Sequence, residues 1–349
     1  LLPHAASHRS HPHATAHSDH QRSGLSVAPL GHSRPAGCVH LNVNSVPDHI
    51  MSRFSTSFAA ALSLLLISSV HAHEHDSDAP HFATTEVGPG LYMLSGVGGF
   101  TGGNIGVSIG QDGVVVIDDS MPPFLPQLTE ALGALTDRKV DFLINTHLHG
   151  DHIGNNATFA NSGAYIVSHE TLRSRLLSQS TAEKPTDPAS VPVMTFSEEM
   201  SFYLNDQPAH LMHVPAAHTD GDAIIHFPKA NVLHTGDAFF HGLFPFIDLD
   251  SGGSVAGFIA AQERILTLVN DETKIIPGHG ELATKADLMQ DLAMLKDAYS
   301  LVIAHVAKGQ TTDEIVAANP LAKYHDGYNW GFITTERMTR TLCRELGAK

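Results

Sequence analysis

The chain has 349 residues, 42% of them hydrophobic, and 36 acidic against 20 basic residues leave a net charge of −16. That apolar content supports a sizeable core and excludes a disordered chain, while the acidic excess argues against a nucleic-acid binder, which needs Lys and Arg on phosphates. Two cysteines, Cys38 and Cys343, exclude a disulfide-stapled scaffold, so the 26 histidines become the feature to follow.

Residues 1–50 hold nine of those histidines among Ser, Pro, Arg and Ala, with no helical or strand period. They are expected to form no fold, as a leader or as sequence upstream of a start at Met51. From Met51, Arg53 gives a short positive region, Phe58 to Val70 an apolar one, and Val70-His71-Ala72 a small-x-small cleavage pattern. The apolar run falls short of the roughly 20 residues that span a bilayer. Residues 51–72 therefore read as a cleaved signal peptide that leaves no stable membrane anchor, and the product is expected in the periplasm or secreted. The mature chain, 73–349, would carry 16 basic and 34 acidic residues, and its size favours one domain.

After a polar tail from His73 to Pro80, strands are expected at Gly90–Ser95, Asn104–Ile109 and Gly113–Ile117, the last two joined by a turn at Gln111-Asp112-Gly113. A helix follows at about Pro126–Thr136, then strands at Val140–Asn145 and Ala164–Ser168 and a helix near Glu170–Gln179. Short strands come next at Met194–Phe196, Met200–Leu204, His210–His213, Ala223–Phe227 and Val232–His234. Val255–Leu268 has helical spacing, Lys274–Ile276 reads as strand, and the remainder is mostly helical. Two strand-rich halves bordered by helices imply an α/β sandwich of two mixed sheets with helices outside.

The polar clusters fall just beyond strand ends. They are His147-x-His149-x-Asp151-His152, His218, Asp237 after Gly236, and His279 between Gly278 and Gly280. Imidazole and carboxylate together suit zinc and related cations. His147 and His149, two apart, project to one side of extended backbone, and Gly150 lets Asp151 and His152 turn toward a second ion. Five imidazoles and two carboxylates exceed the four ligands of one tetrahedral site, so the count implies two metals.

This ordered set resembles the metallo-β-lactamase-fold hydrolases over essentially the whole mature chain. The resemblance implies a four-layer αββα sandwich and two Zn²⁺ per chain. It assigns His147, His149 and His218 to the first zinc, Asp151, His152 and His279 to the second, and Asp237 as the bridge. Many β-lactamases of that family have cysteine at the Asp237 position or no bridging residue, so this chain looks closer to the glyoxalase II and lactonase branch. Asp118 and Asp119 are read as tying the metal loop to the sheet by hydrogen bonds.

The glycine-rich stretch Gly96–Gly103, with Phe100, reads as a substrate flap or a plain hairpin. The run Phe239–Phe246, with Phe240, His241 and Phe244, reads as a pocket wall or as core. The one Gly-x-Ser-x-Gly spacing, Gly106–Gly110, falls along an expected strand rather than at a strand-to-helix elbow, so serine catalysis is unsupported. The expected function is an exported zinc hydrolase of β-lactam, lactone or ester carbonyls, with a metal-bridging hydroxide as nucleophile and Asp151 orienting it. The alternatives are a glyoxalase II-like thioesterase and a periplasmic zinc-binding protein. The partner is a small carbonyl substrate rather than nucleic acid, and oligomeric state is not legible.

Overall fold

The computed structural model describes residues 79–349, so the leader and signal segments lie outside the described residues. Seven strands hydrogen-bond in chain order into one sheet: β1 (His81–Gly88), β2 (Leu91–Val97), β3 (Ile105–Ile109), β4 (Val114–Ile117), β5 (Phe142–Ile144), β6 (Tyr165–His169) and β7 (Met194–Phe196). Pairing is antiparallel from β1 to β4 and parallel from β4 to β7. The second sheet comprises β8 (Glu199–Leu204), β9 (Gln207–His213), β10 (Ala223–Phe227), β11 (Val232–His234) and β12 (Lys274–Ile276), in the order β12-β11-β10-β9-β8. Only β11 and β12 pair parallel there.

The apolar runs explain the layering. All four residues of β4 are buried, as a strand covered on both faces requires. Val115 and Ile117 enter the core between the sheets, with Ile144, Ala223 and Ile225, whereas Val114 and Val116 face outward against Leu128 and Leu132. Those leucines belong to α1 (Leu125–Leu135), which covers the first sheet. The chain continues through α2 (Gly150–Ile153), α3 (Asn156–Asn161) and α4 (Glu170–Ser178). α5 (Val255–Leu268) lays Ala261 and Ile265, and α6 (Lys285–Val306) lays Leu288, against the outer face of the second sheet. This is the expected sandwich of two mixed sheets flanked by helices. α7 (Thr312–Ala318), α8 (His325–Tyr328) and α9 (Thr335–Glu345) close the chain, and Cys343 is buried in the core they share with α6. No helix among the described residues is long and apolar enough to cross a membrane.

Two differences from the sequence reading have clear causes. The polar tail gives way to β1 at His81, an edge strand whose Thr84, Thr85 and Glu86 are exposed, so it lacks an apolar run. α2 and α3 fall in polar sequence and are held by tertiary bonds: Asn155 N donates to Asp119 Oδ1 at 2.9 Å and Gly154 N to Ser120 O at 3.1 Å.

Candidate metal centre

Seven ionisable side chains converge beyond the ends of the strands, where loops leave the rigid sheets. β5 leads into His147 and His149, and α2 carries Asp151 and His152. His218 lies between β9 and β10, Asp237 just after β11 and His279 just after β12. His218 Nε2 is 2.8 Å from His149 Nδ1. Asp237 Oδ2 lies 3.4 Å from His218 Nε2, 3.6 Å from His147 Nε2 and 3.5 Å from His279 Nε2. Its Oδ1 lies 3.2 Å from His152 Nε2. Asp151 Oδ2 is 3.4 Å from His279 Nε2 and 3.6 Å from His152 Nε2. Two groups result, His147–His149–His218–Asp237 and Asp151–His152–His279, each with donor atoms within 4.8 Å of one another.

The ring nitrogens of His147, His149, His152 and His218 that face away from the cluster are engaged, which aims the others inward. His152 Nδ1 is 2.7 Å from Asp118 Oδ2, and Asp118 Oδ1 accepts from Thr146 N at 2.8 Å. His218 Nδ1 donates to Phe246 O at 2.7 Å, and His149 Nε2 to Asp248 Oδ2 at 3.0 Å. Such outer partners fix the tautomer of a metal-binding imidazole. Asp118 takes a left-handed backbone, φ 63°, to present both oxygens. Asp119 does not touch the cluster rings: its N–H donates to His152 O at 2.9 Å and it anchors Asn155. Gly278 is a steric requirement, since a Cβ there would collide with Asp237 Oδ1.

A metal fits these residues. His147 Nε2 is buried with no hydrogen-bond partner, a loss of about 1–3 kcal/mol unless an ion takes the lone pair. Ligands of a tetrahedral zinc sit about 3.3 Å apart, close to the separations here. The charges agree: burial would raise Asp237, but His152, His279, His147 and His218 hold it well below the usual carboxylate range. Burial likewise opposes the charge on Asp151, yet His152 and His279 bring it down to about 2. Conversely His279, despite burial, is pushed up to about 9 by Asp237 and Asp151. Burial and the neighbouring His149 bring His218 down to about 4 against the pull of Asp237.

Above the cluster opens a cavity of about 680 Å³ whose lining includes His149, Asp151, Asp237 and His279. Its walls are Phe100, Phe240, Phe246, Trp330, Phe332, Met121 and Pro122, with no Lys or Arg among the described lining residues. The wall reading thus divides. Phe100 and Phe240 line the cavity, but Phe244 is fully buried in the C-terminal core. His241 also leaves the wall: its Nδ1 bonds Glu281 O at 2.9 Å and its Nε2 lies 3.8 Å from Asp287. Phe239–Phe246 is neither helix nor strand, so no period tells which rings face inward. Asp248, Trp330 and Phe332 were not anticipated; the sole tryptophan of the chain was the one available signal.

The profile of the metallo-beta-lactamase superfamily matches residues 98–279, more than half of the chain. The chain belongs to the metallo-beta-lactamase superfamily. Among curated proteins it is 28% identical to the 2,4-dinitroanisole O-demethylase subunit alpha of a Nocardioides species, over 49% of this chain and 50% of that one. It is 26% identical to the hydroxyacylglutathione hydrolase of a Polaromonas species, over 46% of this chain and 56% of that one. A type 2 metallo-beta-lactamase of Bacillus cereus is 24% identical, over 53% and 69%. The chain thus spans about half the length of the first two. Among solved structures, a metallo-beta-lactamase from Pontibacter korlensis aligns at TM-score 0.50 and 17% identity, covering 62% of this chain and 99% of that one. Metallo-beta-lactamase IND-7 aligns at TM-score 0.52 and 18% identity, covering 62% and 98%. Those likenesses concern the fold. The superfamily profile stops at His279, before α6 to α9 and before the Trp330–Phe332 wall.

Proposed function

We propose that this superfamily member is an exported binuclear zinc hydrolase of small, neutral or weakly charged carbonyl compounds: esters, lactones or β-lactams. The observation that carries the reading is the convergence of His147, His149 and His218 on one side of Asp237, and of Asp151, His152 and His279 on the other, at the base of an apolar cavity. The first trio would hold one zinc, the second trio the other, and Asp237 would be shared. Bound there, the cations would supply Lewis acidity and lower the pKa of water from about 15.7 toward 7.

The protein's own contribution is orientation and proton handling. Asp151, the most solvent-reaching carboxylate of the cluster, stays ionised and orients water through Oδ2. A proton taken at that oxygen passes readily to the leaving atom, because a carboxyl with so low a pKa does not retain it. Asp118 and Asp248 keep His152 and His149 in place, and the aromatic walls exclude water. The relatives are named for different substrates, so kinship leaves the substrate open. A cavity without cations disfavours polyanionic thioesters.

Metal analysis should find about two zincs per chain. Nitrocefin, an acyl lactone, a thioester and an aryl ester, assayed in parallel, should show turnover of at least one of the first, second or fourth. If all four stay intact with two zincs bound, the chain is a zinc-binding protein rather than a hydrolase. Export rests on the Met51–Ala72 pattern; N-terminal sequencing of protein recovered outside the cytoplasm should begin at His73.

A further inference from the structure

The outer wall of the cavity comes from the segment between α8 and α9, and it is built of rings held in place before any ligand arrives. Phe244 N donates to Tyr328 O at 2.8 Å, Trp330 Nε1 donates to Phe244 O at 2.9 Å, and Arg337 Nη1 donates to Phe332 O at 2.9 Å. Such pre-ordering lowers the entropy lost on binding. The Trp330 ring lies 6.1 Å from His279 and 5.7 Å from Phe332, which meets Phe246 edge-on at 5.3 Å and 78°. From the β2–β3 loop, Phe100 stacks on the same His279 at 5.6 Å and 18°.

Phe100 and Phe332 are 54% and 48% exposed at the cavity, whereas Phe240 of the same cavity is 2% exposed. Aromatic surface exposed at a concave site marks a place that a ligand covers. Edge-on and stacked rings best complement another planar ring. Arg337 is committed to the wall, 4.1 Å over the Phe332 ring, and does not line the cavity.

We propose that Trp330 and Phe332 are specificity-determining residues that, with Phe100, clamp a planar aromatic group of the carbonyl substrate. The reacting end of that substrate rests on the hydrolase reading; binding of its aromatic end does not.

Trp330 is the only tryptophan, so its emission reports on the wall directly. The zinc-loaded full chain is titrated with phenylacetamide, whose primary amide resists hydrolysis, and with acetamide, which lacks the ring. Phenylacetamide should change Trp330 emission saturably and bind at least about tenfold more tightly than acetamide. Phe332→Ala should weaken phenylacetamide about tenfold, and Phe332→Leu, which keeps apolar volume without the ring, should also weaken it. Circular dichroism melts confirm that both variants fold; the Leu variant carries the test if the Ala variant does not. Equal affinity for the two amides, or parental affinity in folded Phe332→Leu, overturns the clamp. Ring-selective binding without turnover of any panel substrate removes the hydrolase reading and leaves the clamp. Turnover without ring selectivity does the reverse.

Discussion

The base and the walls of the cavity are held by different forces. At the base, directional bonds aim the side chains: Asp118 on His152, the Phe246 carbonyl on His218 and Asp248 on His149. In the walls, rings such as Phe246 and Phe332 pack with centroids 5.3 Å apart, an interaction that tolerates some sliding. A hydrogen-bonded metal shell loses its function when one partner is removed, whereas a packed wall loses affinity by degrees. Phe246 joins the two regimes, its carbonyl holding His218 while its ring faces Phe332.

Breaking the base should give the largest effects. Asp237→Ala removes the carboxylate shared by both ligand trios, so metal content should fall to one zinc or fewer per chain. Turnover of the best panel substrate should drop by about a thousandfold, the rate equivalent of several kcal/mol. Two zincs with unchanged rates would break the binuclear reading. Phe244→Ala sits on the other side of the contrast, because that ring is in the core and not in the wall. It should cost about 3–5 kcal/mol in denaturant unfolding. Asp248→Ala should weaken zinc about 10–100-fold in a chelator competition while the fold stays intact.

Protonation sharpens the same division. In the metal-free chain His279, raised from its ordinary 6.5 to about 9, stabilises the fold fully below pH 6.5, and that stability is lost as pH rises through 9. Asp222, raised by burial to about 8 despite its bonds to Thr219, is protonated in the folded chain and costs stability as pH climbs from its ordinary 3.8 toward 8. Both act in one direction, so the metal-free melting temperature should fall between pH 6.5 and 9. Zinc must displace the His279 proton, so calorimetry in buffers of different ionisation enthalpy should detect proton release on binding at pH 7. A metal-free melting temperature that rises across this window would contradict the charge pattern at the base.

Much of the base was legible because its signals are local. His147, His149, Asp151 and His152 fall within six residues, and the runs at β4, β10 and β11 are apolar enough to read as buried strands. The partners of those ligands were harder to read. Asp248 reaches His149 from 99 residues away, a contact made only by folding. The walls were least legible, because packing in an irregular segment decides that Phe240 and Phe246 face the cavity while Phe244 enters the core. Trp330 and Phe332 follow a short helix, and a bond to the Phe244 backbone and ring contacts with Phe246 and His279 bring them to the cavity.

Phe100 should give the smallest effect and makes the most discriminating test of the wall. More than half exposed on a glycine-rich loop, it contributes little to folding, so Phe100→Ala should shift unfolding by no more than about 0.5 kcal/mol. Its ring nevertheless stacks on His279, and phenylacetamide binding should weaken by about threefold. The loss should be smaller than for Phe332→Ala because a glycine-rich loop gives back part of its contact energy in ordering on the ligand. Phe332, by contrast, is fixed in advance by Arg337 and by the bonds around Trp330. If Phe100→Ala weakened binding as much as Phe332→Ala, both sides of the clamp would be equally pre-ordered, and the flap would belong with the rigid part of the site.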